Sequence, residues 1–104
     1  MSLDIEQTLK EMADAVIDTV KNEAEAFKAQ AKEMLDAEKD ALKDLGEAKL
    51  KGDIDEETFE QEVAREKKVL EAELLTLEIM TKALALKAVN AAIDVFKKAL
   101  AAAI

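Results

Sequence analysis

The chain has 104 residues, a formal net charge of −9, no Cys, no His, no Trp and no Pro. Without Cys or His there is no disulfide, thiolate nucleophile, imidazole base or soft metal site to build. A net charge this negative disfavours nucleic acid, whose phosphates need an excess of Lys and Arg.

Ala, Leu, Lys and Glu dominate, all good helix formers, and the only glycines are Gly46 and Gly52. Val, Ile and Thr never alternate over a strand-length run, so the expectation is a single all-α domain over 1–104. No stretch of about 20 uncharged apolar residues is present, so no transmembrane helix is expected. The start is acidic and amphipathic and does not read as a secretory leader, and a cytoplasmic location is expected. The charge is uneven: net −5 over 1–52, net −6 over 53–73 and net +2 over 74–104.

A first helix is predicted over about 3–51. Ser2 is its better cap by chemistry, with Asp4 the alternative. Apolar positions run Ile5, Leu9, Ala13, Val16, Val20, Ala24, Phe27, Ala31 and Leu35, then Leu42 beyond Glu38. The spacings of 4, 4, 3 repeat, an 11-residue period that favours a nearly straight or slightly right-handed pair over a left-handed coiled coil. Met12, Ile17 and Met34 widen the stripe. Gly46 is a soft point, ending the helix early or marking a close contact; continuation to about Lys51 is favoured because Gly52 is the better terminator.

The turn lies at residues 51–59. Gly52 suits the position just past a helix end, where positive φ is needed. Asp55 suits an N-cap, Ile54 and Phe59 have the spacing of a hydrophobic staple, and Glu56 and Glu57 favour the helix dipole. Gly52-Asp53-Ile54-Asp55 followed by Phe59 resembles the second half of an EF-hand calcium loop. In that alignment the early ligand positions fall on Glu47, Lys49 and Lys51, and the bidentate Glu becomes Thr58, so calcium ligation is not expected. The same residues also resemble the Gly-x-Ile-x-x-x-x-Phe hairpins of bacterial helical proteins.

The second helix is predicted over about 55–103, with a stripe at Phe59, Val63, Leu70, Leu74, Leu77, Thr81, Ala85, Ala88, Ala92, Phe96, Ala99 and Ala103. In an antiparallel hairpin closing near 52, partners have numbers summing to about 104, which pairs Leu45 with Phe59, Leu42 with Val63, Phe27 with Leu77 and Leu9 with Phe96. From Leu75 a second apolar stripe begins, interrupted by Lys82. A helix apolar over so wide an arc needs more than one neighbour. A homodimer closing a four-helix bundle is therefore expected, its interface formed by Leu75, Ile79, Leu86, Val89, Ile93, Phe96, Leu100 and Ile104 with Met12 and Ile17 of the first helix.

No catalytic constellation, phosphate loop or metal set is found, and no enzyme activity, cofactor or metal is expected. Glu60, Glu62 and Glu66 fall on outward positions or at the stripe's edge. Asn90 and Thr81 lie near the apolar arcs and read as register-setting or solvent-edge polar groups. The hairpin architecture resembles that of the secreted WXG100 family, dimers of about a hundred residues, without their Trp-x-Gly turn. The function expected is an oligomeric scaffold or partner-binding module. The alternative is reversible binding to a lipid or granule surface, suggested by the Ala/Leu-rich, mildly basic segment 74–104.

Overall fold

The computed structural model describes residues 3–103, which fold into five helices with no strand among them. These are α1 (Ile5–Val20), α2 (Glu25–Ala37), α3 (Lys39–Lys51), α4 (Glu56–Leu74) and α5 (Lys82–Ala103). The all-α expectation holds, but each long helix is interrupted. A helix over 3–51 would extend about 73 Å at 1.5 Å per residue; the longest dimension of the molecule is 39 Å. Its radius of gyration is 13.3 Å, close to the ~13 Å of a compact domain of about 100 residues.

Asp4 caps α1: its carboxylate accepts from the Gln7 N–H at 3.1 Å. Ser2 and Ile104 lie outside the described residues. Ile5, Leu9, Met12, Ala13, Val16 and Ile17 form the buried face of α1. The helix ends at Lys21, the one non-glycine residue in the left-handed region among those described (φ 59°). The Asn22 carboxamide then accepts from the Ala24 N–H at 3.0 Å, an Asx-type turn that starts α2 without a side-chain cap. α2 gives way to α3 at Glu38 alone, the one charged residue in the apolar stripe.

The central turn forms as expected. Gly52 takes φ 76°, and the N–H groups of Gly52 and Asp53 donate to Lys49 and Ala48, a Schellman closure. Asp55 accepts from the Thr58 N–H at 2.8 Å. Phe59 is buried and Ile54 packs against the core. α3 runs through Gly46 to Lys51.

The second helix breaks over 75–81. Successive short turns run Leu77 N–H to Leu74 and Met80 N–H to Leu77. Thr81 then caps α5, its hydroxyl accepting from the Leu84 N–H at 3.1 Å.

The physical reason for both interruptions is the arc of α5. Ala85, Ala88, Val89, Ala92, Ile93, Phe96 and Leu100 are all buried, and one partner helix cannot cover them. The two reversals fold the far end of the hairpin back on its turn end. α5 packs along α1, the largest interface in the molecule, and also contacts α4 and α3, while α1 packs on α2 and α3. Burying one Val, Leu, Ile or Phe side chain contributes about 1.5–3 kcal/mol. That exceeds the roughly 1–2 kcal/mol that Lys21 loses in the left-handed region. The neighbours expected from a second chain are thus supplied from within this one.

Gly46 sits at the centre of this closure. A Cβ there would lie 2.6 Å from Leu3 Cδ2, 3.2 Å from Leu100 Cδ2 and 3.6 Å from Phe96 Cε1. Leu side-chain ends can yield slightly, and Ala favours helix by about 1 kcal/mol over Gly. Gly46→Ala is therefore expected within about 1 kcal/mol of wild type, and Gly46→Val to lose about 1–3 kcal/mol by overpacking. Urea denaturation measures both.

Candidate functional site: the second break and its acidic flank

Among the described residues the exposed large apolar side chains are Leu75, Ile79 and Leu86, at 40%, 50% and 46%. All three belong to the expected interface. Six other members, Met12, Ile17, Val89, Ile93, Phe96 and Leu100, are buried within the chain. The predicted interface therefore divides into a core portion and an exposed portion around the α4–α5 connection. Within that connection Leu77 and Met80 turn inward to the core, while Leu75 and Ile79 do not. Ile79 lines an open cleft of about 390 Å³ with Asn22, Phe27 and Thr76. The two helix breaks thus face one another across this cleft.

A carboxylate cluster lies where α4 passes the Glu38 junction. Burial pushes the Glu66 carboxyl above the ordinary carboxylate range, and Glu38, Glu62 and Glu73 add like charge. Glu38 also offers a hydrogen bond that favours the protonated form of Glu66. Glu66 Oε2 is buried without a hydrogen-bond partner. Burial raises Glu73 as well, with Glu38 contributing. Glu38 and Glu66 are opposite each other in the register that sums to 104, so this part of the hairpin pairing is retained. The sequence placed Glu66 at the stripe's edge, but one-dimensional spacing carried no sign of its desolvation.

Elsewhere several charges are paired. The Thr58 N–H holds Asp55 below its ordinary value, and Lys49 does the same for Glu56 by hydrogen bond and charge. Lys39 is raised by its bond to Glu6. Glu6–Lys39 joins α1 to α3, and Glu60–Lys97 joins α4 to α5 at 3.1 Å. No three carboxylates among the described residues are disposed to hold a metal ion. No described helix is long and apolar enough to cross a membrane. Asn90 is exposed on α5, and Thr81 is occupied as a cap.

Compared with known proteins, the chain matches no family model, and neither a curated protein nor a solved structure is similar to it.

The carboxylate shifts fix the sign of a pH dependence. Glu66 binds its proton more tightly in the folded chain, so its contribution is complete below the ordinary carboxylate value of 4.5 and is lost as pH rises through the raised one. Asp55 and Glu56 act oppositely: their contributions are present above 3.8 and 4.5 and disappear as pH falls through their lowered values. Glu66→Gln is expected to raise the neutral-pH Tm by roughly 2–4 °C, the shift from about half a kcal/mol in a domain of this size once solvent screening is allowed for. It should also flatten the decline between mildly acid and neutral pH, as thermal melts across that range would show.

Proposed function

We propose that this protein is a non-enzymatic helical interaction module that self-associates, most simply as a homodimer, and serves as a scaffold or partner-binding unit. The observation that carries this reading is the exposure of Leu75, Ile79 and Leu86, the exposed large apolar side chains among the described residues. Three such residues within the span 75–86 leave apolar surface in water that soluble chains tend to keep covered. The absence of His and Cys removes the commonest catalytic bases, nucleophiles and metal ligands. The lipid-surface alternative drew on the apolar segment 74–104. Most of that stripe, from Ala85 to Leu100, is buried inside the chain, which favours a protein partner.

Light scattering coupled to size exclusion tests this reading. The expected outcome is a wild-type dimer whose population grows with concentration, and a monomer when Leu75, Ile79 and Leu86 are replaced together by Ser. Because all three are exposed, the replacement should leave the helical circular dichroism unchanged. A wild-type chain that stays monomeric into the millimolar range, or a dimer indifferent to the triple replacement, overturns it. Flotation with anionic vesicles by a monomeric chain would instead favour the lipid surface.

A further inference from the structure

The two helix breaks have three properties in common. Neither contains Gly or Pro: the first reads Lys21-Asn22-Glu23-Ala24, and the second runs from Leu75 to Thr81. They lie opposite one another in the hairpin register, since positions 21–24 and 80–83 are paired by it and the second break ends at 81. And the spacing of the apolar stripe runs through both, although its members at the breaks, Ala24 and Thr81, are exposed in the closed chain. Val16, Val20, Ala24, Phe27 and Ala31 keep spacings of 4, 4, 3 and 4 across the first break, and Leu74, Leu77, Thr81, Ala85 and Ala88 keep 3, 4, 4 and 3 across the second. A chain that only needed to reverse has no reason to hold the phase of a continuous helix through the reversal. The first break is held by a left-handed Lys21, a conformation that an L side chain leaves readily when a helical alternative exists.

We propose that the chain forms a domain-swapped dimer in which both breaks straighten. This deepens the self-association reading above by naming its geometry. The partner is a second copy of this chain. In the opened form α1 continues into α2, and α4 into α5, giving the long two-helix hairpin whose pattern the sequence carries. The α1–α5 interface and the α3–α4 turn stay intact within each chain. The contacts of α1 with α2 and α3, and of α5 with α3 and α4, are surrendered on opening and remade by the second copy. Phe59 against Phe96, with ring centroids 6.5 Å apart, becomes a contact between chains, as do Glu6–Lys39 and Glu60–Lys97.

The exposed apolar residues fit this partner. Leu75, Ile79 and Leu86 are scattered over a turn and the next helix in the closed chain. On one continuous helix they fall at intervals of 4 and 7 residues, hence on a single face, with Lys82 between them. That face lies at the straightened break, where the two copies cross and where a swapped dimer forms contacts that the closed monomer lacks.

The chain has no Cys, so introduced thiols report unambiguously. Glu6→Cys and Lys39→Cys variants, made in separate chains, are mixed in urea and refolded together at high concentration. The dimer fraction is then treated with a short bis-maleimide. Because Glu6 and Lys39 are partners in the fold, the swapped dimer is expected to yield the mixed cross-link, joining position 6 of one chain to position 39 of the other. A chain carrying both thiols should cross-link internally when monomeric. A second pair of variants acts on the breaks. Glu25 and Lys82 are the first residues of α2 and α5, where Pro is welcome at a helix start but breaks a helix running through. Ala24, before the first of them, is already extended (ψ 136°), as a following Pro requires. Glu25→Pro with Lys82→Pro should keep the folded monomer, judged by circular dichroism and melting, and reduce the dimer at least tenfold. Lys21→Ala with Asn22→Ala should enrich it. A dimer without the mixed cross-link, or one that persists in the double Pro variant, overturns the swap and leaves self-association standing. No dimer after refolding into the millimolar range overturns both.

Discussion

The packing of Phe96 where α3, α4 and α5 meet is the interaction on which the closed fold depends. Phe96 is fully buried, stacks on Phe59 of α4, and approaches α3 where Gly46 has no side chain. With only three aromatic residues in the chain, this pairing of two of them concentrates apolar area where α3, α4 and α5 meet. A side chain at position 46 would press on Leu3 and Leu100, whereas Phe96 would remain in ordinary contact. The reversals at Lys21 and at 75–81 bring α1 and α5 to this point, and the burial they gain outweighs their local cost.

The electrostatics set the margin of that gain. A chain at −9 repels itself when it compacts, and the acidic peak after the turn lies close to the fold-back. Glu60–Lys97 and Glu6–Lys39 offset part of the repulsion between the two halves, though exposed pairs contribute only about 0–1 kcal/mol each. Glu38, Glu66 and Glu73 work the other way, bringing carboxylates together at the edge of the core. The mildly basic end of the chain, 74–104, is folded onto its acidic remainder. The uneven charge seen along the sequence therefore favours the packing of α5 on α1 and α4, the acidic helices that it meets.

What was legible was local. Helix content, the Schellman closure at Gly52, the Asp55 cap and the passage of α3 through Gly46 all follow from residue types acting on their immediate neighbours. The need of α5 for several partners was legible too, from the width of its apolar arc. What the spacing did not contain was the source of those partners. Lys21 and Leu75–Thr81 carry no strong breaker, so propensity favours helix there, and only the burial gained elsewhere opposes it. The expected dimer interface illustrates the point: the spacing marks Val89, Ile93, Phe96 and Leu100 for cover by a second chain, and in the structure they are buried within their own. Glu66 likewise looked like a rim residue, because desolvation depends on what α2 and α3 place beside it.

The uninterrupted helical phase separates two questions that usually share an answer. Which side chains are buried is largely settled by the stripe, whose members at the breaks, Ala24 and Thr81, are the ones the folded-back chain exposes. Whether the burying partner belongs to the same chain is settled by the breaks. In the closed form the covering half is tethered by a few residues, which gives it a millimolar or higher effective concentration and favours the monomer in dilute solution. Against that stands the left-handed Lys21 and a seven-residue connection that leaves Leu75 and Ile79 in water. The proposed straightening would relieve both and leave the core contacts unchanged in kind. In the proposed swapped dimer the difference between the two forms would be confined to the breaks and to the face that Leu75, Ile79 and Leu86 share on a continuous helix, so these few residues, and not the core, would set how many chains share the fold.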